Sequence, residues 1–316
     1  MVISGGRPAL AQRKTHRLLG QLHGVTADPV WCVREDEAPS YQPDPEHELV
    51  TYPRGWAEQW SREHWFDVLP WPEGFTGIHP AREWGCQTAE ERGHWAVLLL
   101  DDNIVQLTVF IGYGASARVA QRHGGLALFA DIIAAVTLST NARFTGAQLR
   151  AVNPATEAHI FARPGFPYSI YAEVCGEGRE PWYGPWEDDI LHAFAYGQEG
   201  SNHTAAVIPP LRYVKEHQVA GGNHAWYDGR RSAGLQRMVP QGARISVQRT
   251  FANGRGGGRV YHSMVPDAIR TPLAVHDGEL FRAARDKMDQ LAAELAAEAR
   301  WDLRVRMDRH ARAADG

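Results

Sequence analysis

The sequence predicts an α+β protein with a mixed, mostly antiparallel sheet, flanking helices, a β-rich addition and a long C-terminal helix. Three patterns predict it. The run Ile104 to Ile111 is rich in β-branched residues and reads as a strand. The run Leu126 to Thr137 is strongly apolar and helical in length, so it reads as a buried helix. From Leu280 to Leu303, apolar residues step by three or four, which is the stripe of an amphipathic helix. A hydrophobic fraction of 44% in 316 residues suits a globular chain, able to bury a core without a disulfide or metal staple.

The elements follow in order. Residues 1–24 carry Arg7, Arg13, Lys14 and Arg17 and no acid, and 25–50 are acidic and proline-rich. Residues 1–50 therefore read as a basic arm and an extended linker. Trp56, Trp60 and Trp65 sit near helical spacing and predict a helix over 54–67. Residues 94–100 and 104–111 flank Asp101-Asp102-Asn103 and read as a β-hairpin. Residues 147–152 alternate like a strand, and 155–163 suit a short helix stopped by Pro164-Gly165. Two alternating runs, 245–251 and 259–265, surround a glycine-rich turn and predict a second hairpin. Asp277 is placed to cap the last helix, 278–310. The expected division is an arm and linker (1–50), a central domain (51–180), a β-rich region (181–275) and the terminal helix (276–316).

Bulk chemistry narrows the function classes. Cys32, Cys86 and Cys175 are odd in number and far apart, with no C-x-x-C pair, so a closed thiolate zinc site is not expected. No N-terminal apolar run reads as a secretory signal and none spans a bilayer, so a cytoplasmic location without membrane partners is expected. A net charge of −4 argues against generic polyanion binding, although the basic arm leaves nucleic acid open as a partner. Only three of the 33 basic residues are lysines, so arginine abundance here reflects composition rather than phosphate recognition.

One stretch carries chemistry. After the hairpin comes Arg122-His123-Gly124-Gly125-Leu126-Ala127, then the buried helix, then Asn153 to Phe161 and Gly165-Phe166. Backbone N–H groups in a glycine turn at a helix start can cradle a pyrophosphate. Residues 94–166 resemble the GNAT superfamily of N-acetyltransferases, Arg122, Gly125 and Ala127 fitting its phosphate loop. The resemblance implies a GNAT-like fold over 51–180 and acyl transfer from acetyl-CoA or another acyl-CoA to an amine acceptor. It implies that Arg122, Gly124, Gly125 and Ala127 hold the cofactor, with Asn153 on the acceptor side. Phe161 stands where the family often has an acidic tyrosine, which leaves Tyr168 or Tyr171 as the proton donor.

Two other readings stay open. The basic arm, the early tryptophans and the striped helix also suit a non-enzymatic assembly protein, with homo-oligomers formed through that helix. Ala158-His159-Ile160-Phe161 also resembles part of thymidylate synthase, but without that family's catalytic cysteine context. The histidines His203, His217 and His224 match no metal spacing, so no metal site is expected.

Overall fold

A two-residue strand near the N-terminus lies inside the parallel half of the main sheet. A computed structural model describes residues 1–4, 7–22, 29–65, 73–74, 76–112, 115–150, 160–184, 188–216 and 269–300, and the backbone alone of 245–249, 260–264 and 301–314. Strand β1 (Val2–Ile3) pairs in parallel with β2 (Val30–Arg34) on one side and β4 (Ala96–Asp101) on the other. β3 (Glu48–Tyr52) extends the parallel set beyond β2. Val2, Ile3, Trp31, Cys32 and Val33 are all buried, as parallel strands covered on both faces require.

Beyond β4 the sheet becomes mixed. The antiparallel β9 (Ile170–Val174) follows, and β7 (Ala142–Leu149) runs antiparallel to it. β10 (Thr204–Lys215) is parallel to β7, then β5 (Ile104–Gly112) and β6 (Ala115–Arg118) close the edge in antiparallel fashion. The short β8 (Arg163–Pro164) also pairs with β10. The result is a 10-stranded sheet of order β3-β2-β1-β4-β9-β7-β10-β5-β6. The register of β10 shifts between Ile208 and Arg212, where Pro209 and Pro210 cannot donate to the ladder.

Several expectations are corrected here. Residues 1–50 are not an arm and linker, because they supply three strands of the main sheet. The strands flanking Asp101-Asp102-Asn103 exist, but they do not form a hairpin: β9, β7 and β10 lie between them. Four flat strand spacings would separate β4 and β5 by about 19 Å. The three-residue step from Asp101 to Ile104 spans at most about 10 Å, so the sheet must curl at this end. Residues 188–215 belong to the main sheet and its core rather than to an addition. The expected second hairpin is observed as β11 (Ile245–Arg249) and β12 (Val260–Met264). The expected short helix at 155–163 falls mostly outside the described residues.

Helices cover both faces. On one face lie α2 (Arg54–Glu63), α3 (His79–Glu91) and α5 (Asp188–Tyr196), packed through Ala57, Ala81, Cys86, Leu191 and Phe194. On the other lie α1 (His16–Leu19), α4 (Gly125–Ser139) and α6 (Gly278–Ala314). Ala284, Met288, Leu291 and Leu295 bury the predicted stripe of α6 against this second core, which α4 lines with Phe129 and Ile133. Asp277 caps α6, its Oδ1 accepting from the Glu279 and Leu280 N–H groups at 3.1 and 3.0 Å. Among the described residues, no helix is long and apolar enough to cross a membrane.

One polar cluster is sealed inside the first core. Glu173 of β9 is fully buried and accepts from Trp182 Nε1 (2.7 Å), Cys86 Sγ (3.2 Å), the His192 ring (2.6 Å) and Tyr196 Oη (2.9 Å). Burial pushes its carboxyl up, but His192 and the other donors hold it below the ordinary range. Its partners are buried too, so this cluster fixes the packing of α3 and α5 on the sheet.

Candidate functional site

Four parallel strands in the order β3-β2-β1-β4 create a switch point. The chain moves outward from β1 to β2 and β3, then crosses back to β4 on the other side of β1. Open α/β sheets bind ligands outside the carboxyl ends of their strands at such a point. The residues gathered there are Ser4 after β1, Arg34 ending β2, and Asp101 with Asp102 ending β4. Arg82 from α3, Asp188 opening α5, Ser169 before β9 and Lys215 ending β10 join them.

Arg34 pairs with Asp36 and Glu37, and the others form two adjacent clusters. In the first, Ser4 Oγ donates to Asp102 Oδ2 at 2.6 Å and Arg7 Nη1 donates to Asp102 Oδ1. Tyr41 Oη sits 3.3 Å from Ser4 Oγ and accepts from the Arg7 N–H. Burial pushes the Asp102 carboxyl up, while the Arg7 charge opposes it. In the second, Lys215 Nζ donates to Asp101 Oδ2 and to Ser169 Oγ at 2.5 and 2.8 Å. Arg82 bridges two acids, reaching Asp188 Oδ2 at 2.5 Å and Asp101 Oδ1 at 3.3 Å. Burial pushes Asp101 up, but Lys215 and Arg82 together hold its carboxyl well below the usual range. Burial pushes Asp188 up to about 7 against the pull of Arg82.

Backbone strain marks the same place. Ser169 has φ +60°, the positive value rare outside glycine. Its carbonyl accepts from the Asp101 N–H at 2.9 Å while its hydroxyl takes the Lys215 bond. The surrounding bonds hold the strained conformation, as such positions require. The Asp101 and Lys215 side chains keep 19% and 17% of their surface exposed, so this cluster is reachable from solvent. Asp102, in contrast, is sealed at 1%.

The residues expected from the sequence lie elsewhere. Gly124, with φ +91°, is the N-cap of α4, and Gly125 is buried beside it. Their cradle is filled from within: the Gln21 side-chain carbonyl accepts from the Leu126 N–H at 2.7 Å, and a Cβ on Gly125 would collide with Gln21. Arg122 points away, is mostly exposed and pairs with Glu298 of α6 at 2.8 Å. Ala127 is half-buried on α4. Asn153 falls outside the described residues. Tyr171 is fully buried against Phe144 and Trp182, on the sheet face opposite α4, and burial raises its hydroxyl pKa well above the ordinary value. Tyr168 is partly buried and packs against both cores. The structure thus brings Arg122, Gly124, Gly125 and Ala127 together and separates Tyr171 from them.

Sequence reasoning missed the cluster that is assembled. Asp101 and Asp102 read as turn residues, and Arg82 lies in a helix that no periodicity announced. One signal was available: Lys215 is one of only three lysines, in a chain that uses arginine elsewhere. Among the described residues, no group of three or more metal-ligating side chains comes together. No family model, curated protein or solved structure matches the chain.

Proposed function

We propose that the chain binds a nucleoside diphosphate, as the carrier of a group to be transferred, across the carboxyl ends of β1, β2 and β4. The observation that carries this is the acid–cation cluster of Asp101, Lys215, Arg82 and Asp188 at the switch point of a parallel sheet. Glu35 and Asp36 directly follow β2, where a ribose diol finds an acidic acceptor in such sheets. The sequence after β1, Ser4-Gly5-Gly6-Arg7, contains neither G-x-x-x-x-G-K-[ST] nor G-x-G-x-x-G. Those signatures would suit a triphosphate or a dinucleotide. One parallel half, the size of a mononucleotide site, with a mixed sheet beside it, suits a diphosphate carrier and a separate acceptor. Nucleoside-diphosphate sugars are therefore the first donors to test.

Acyl transfer from acetyl-CoA on a GNAT-like domain is the rival. It requires Gln21 to leave the glycine cradle and another proton donor than Tyr171. Calorimetric titrations with UDP, GDP, ADP, CDP and acetyl-CoA, in magnesium buffer, decide between them. Micromolar binding of one nucleoside diphosphate, without binding of acetyl-CoA, is the expected result. Binding of acetyl-CoA alone would reverse the assignment to residues 122–127.

A further inference from the structure

We propose that Lys215, held in place by Asp101 and Ser169, supplies the positive charge that grips the diphosphate, so that binding needs no divalent cation. This rests on the nucleotide reading above and extends it to the source of charge at the site. The donor count supports it. A lysine ammonium has three N–H donors. Asp101 and Ser169 take two, at 2.5 and 2.8 Å, and the side chain retains 17% exposure. One donor therefore remains for a ligand oxygen at the mouth of the switch point.

The carboxylates point the same way. Magnesium bound beside a nucleotide is held by one or two carboxylates together with the phosphates. Each acid of these two clusters already has a cation in contact: Asp101 has Lys215 and Arg82, Asp102 has Arg7, and Asp188 has Arg82. A metal at Asp101 would stand against two fixed positive charges in a half-buried setting, where like charges repel more strongly than in water. Lys215 already contacts Asp101 with charge of the same sign as a metal would bring. Arg82 is nearly sealed, at 5% exposure, and lies over the rings of Trp182 and Tyr171, so it holds Asp101 and Asp188 rather than ligand.

The test uses the full chain and the nucleoside diphosphate that binds it in the calorimetric panel. Affinity is measured in excess EDTA and in excess magnesium or manganese, for wild type, Lys215→Met, Lys215→Arg and Lys287→Met. Wild type is expected to bind within about threefold in all buffers. Lys215→Met is expected to weaken binding roughly tenfold to a hundredfold, the loss of one charge-assisted hydrogen bond, with partial recovery in Lys215→Arg. Lys287→Met, which removes the α6 partner of Asp131, should bind as wild type does. Binding that disappears in EDTA and returns with metal overturns the inference while leaving the nucleotide reading intact. That comparison needs only wild type, so it stands even if Lys215→Met does not fold. Absence of binding by every nucleoside diphosphate in every buffer removes the nucleotide reading itself.

Discussion

Glu173 can accept from four donors only as a carboxylate, and that fixes the outcome of changing it. Glu173→Gln places an amide N–H₂ against two of its partners and leaves buried donors unpaired. The expected cost is about 1–3 kcal/mol per orphaned group, read as a lower urea midpoint. Gly146 makes a comparable point with packing. A Cβ there would press on the Ile170 carbonyl and lie 2.7 Å from both Pro167 Cβ and Tyr171 Cβ. Gly146→Ala is expected to cost about 1–3 kcal/mol, because β9 cannot retreat from β7 without breaking its pairing. His79 gives the pH dependence. It is fully buried, neither ring nitrogen has a hydrogen-bond partner, and burial holds its pKa well below the ordinary imidazole value of 6.5. The unfolded chain therefore takes up the proton first, so stability is complete above that unfolded value and falls as pH drops through it. Urea midpoints measured at decreasing pH should fall steeply for wild type and less steeply for His79→Leu.

At the level of elements, the attachment of α6 separates burial from charge. Leu291→Ala opens a cavity beneath α6 and is expected to cost about 2–5 kcal/mol. Arg122→Gln removes only exposed contacts, with Glu298 and His123, and should lower stability by less than about 1 kcal/mol, read as a small shift of the midpoint. Elements with strong local patterns were legible in the sequence: α4 from its apolar run, α6 from its stripe and its Asp277 cap, and the 245–264 hairpin from its alternation. The parallel half was not. β1 has two residues, too few for any period, and β2 lies among prolines and acids that read as a linker. The α3 helix was hidden because ionisable residues on it, His79, Arg82 and Glu83, are buried, which blurs the contrast between its apolar and polar sides. The glycine turn before α4 was read correctly as a helix start. That Gln21 fills this turn was not legible, because it lies about a hundred residues upstream.

For the molecule as a whole, a bound nucleotide should act as a clamp between the two halves of the sheet. At a ligand concentration 100 times the Kd, stabilisation of about 2.7 kcal/mol is expected, visible as a raised Tm. The curl between β4 and β5 has a kinetic consequence. These strands leave the ribosome almost together with one neighbour each at hand, β1 for β4 and β6 for β5, yet each must wait for its second: β4 for residues 170–174, and β5 for residues 204–215. Lys215 and Asp101 are 114 residues apart, so their contact closes a long loop. Such non-local pairing slows folding. Stopped-flow refolding should show a slow final phase, and nucleotide binding should return with that phase rather than with the earlier gain of helix. A nascent chain truncated before residue 204 would hold β5 and β7 each with an unpaired edge, and the proposed phosphate grip could form only once Lys215 has been made.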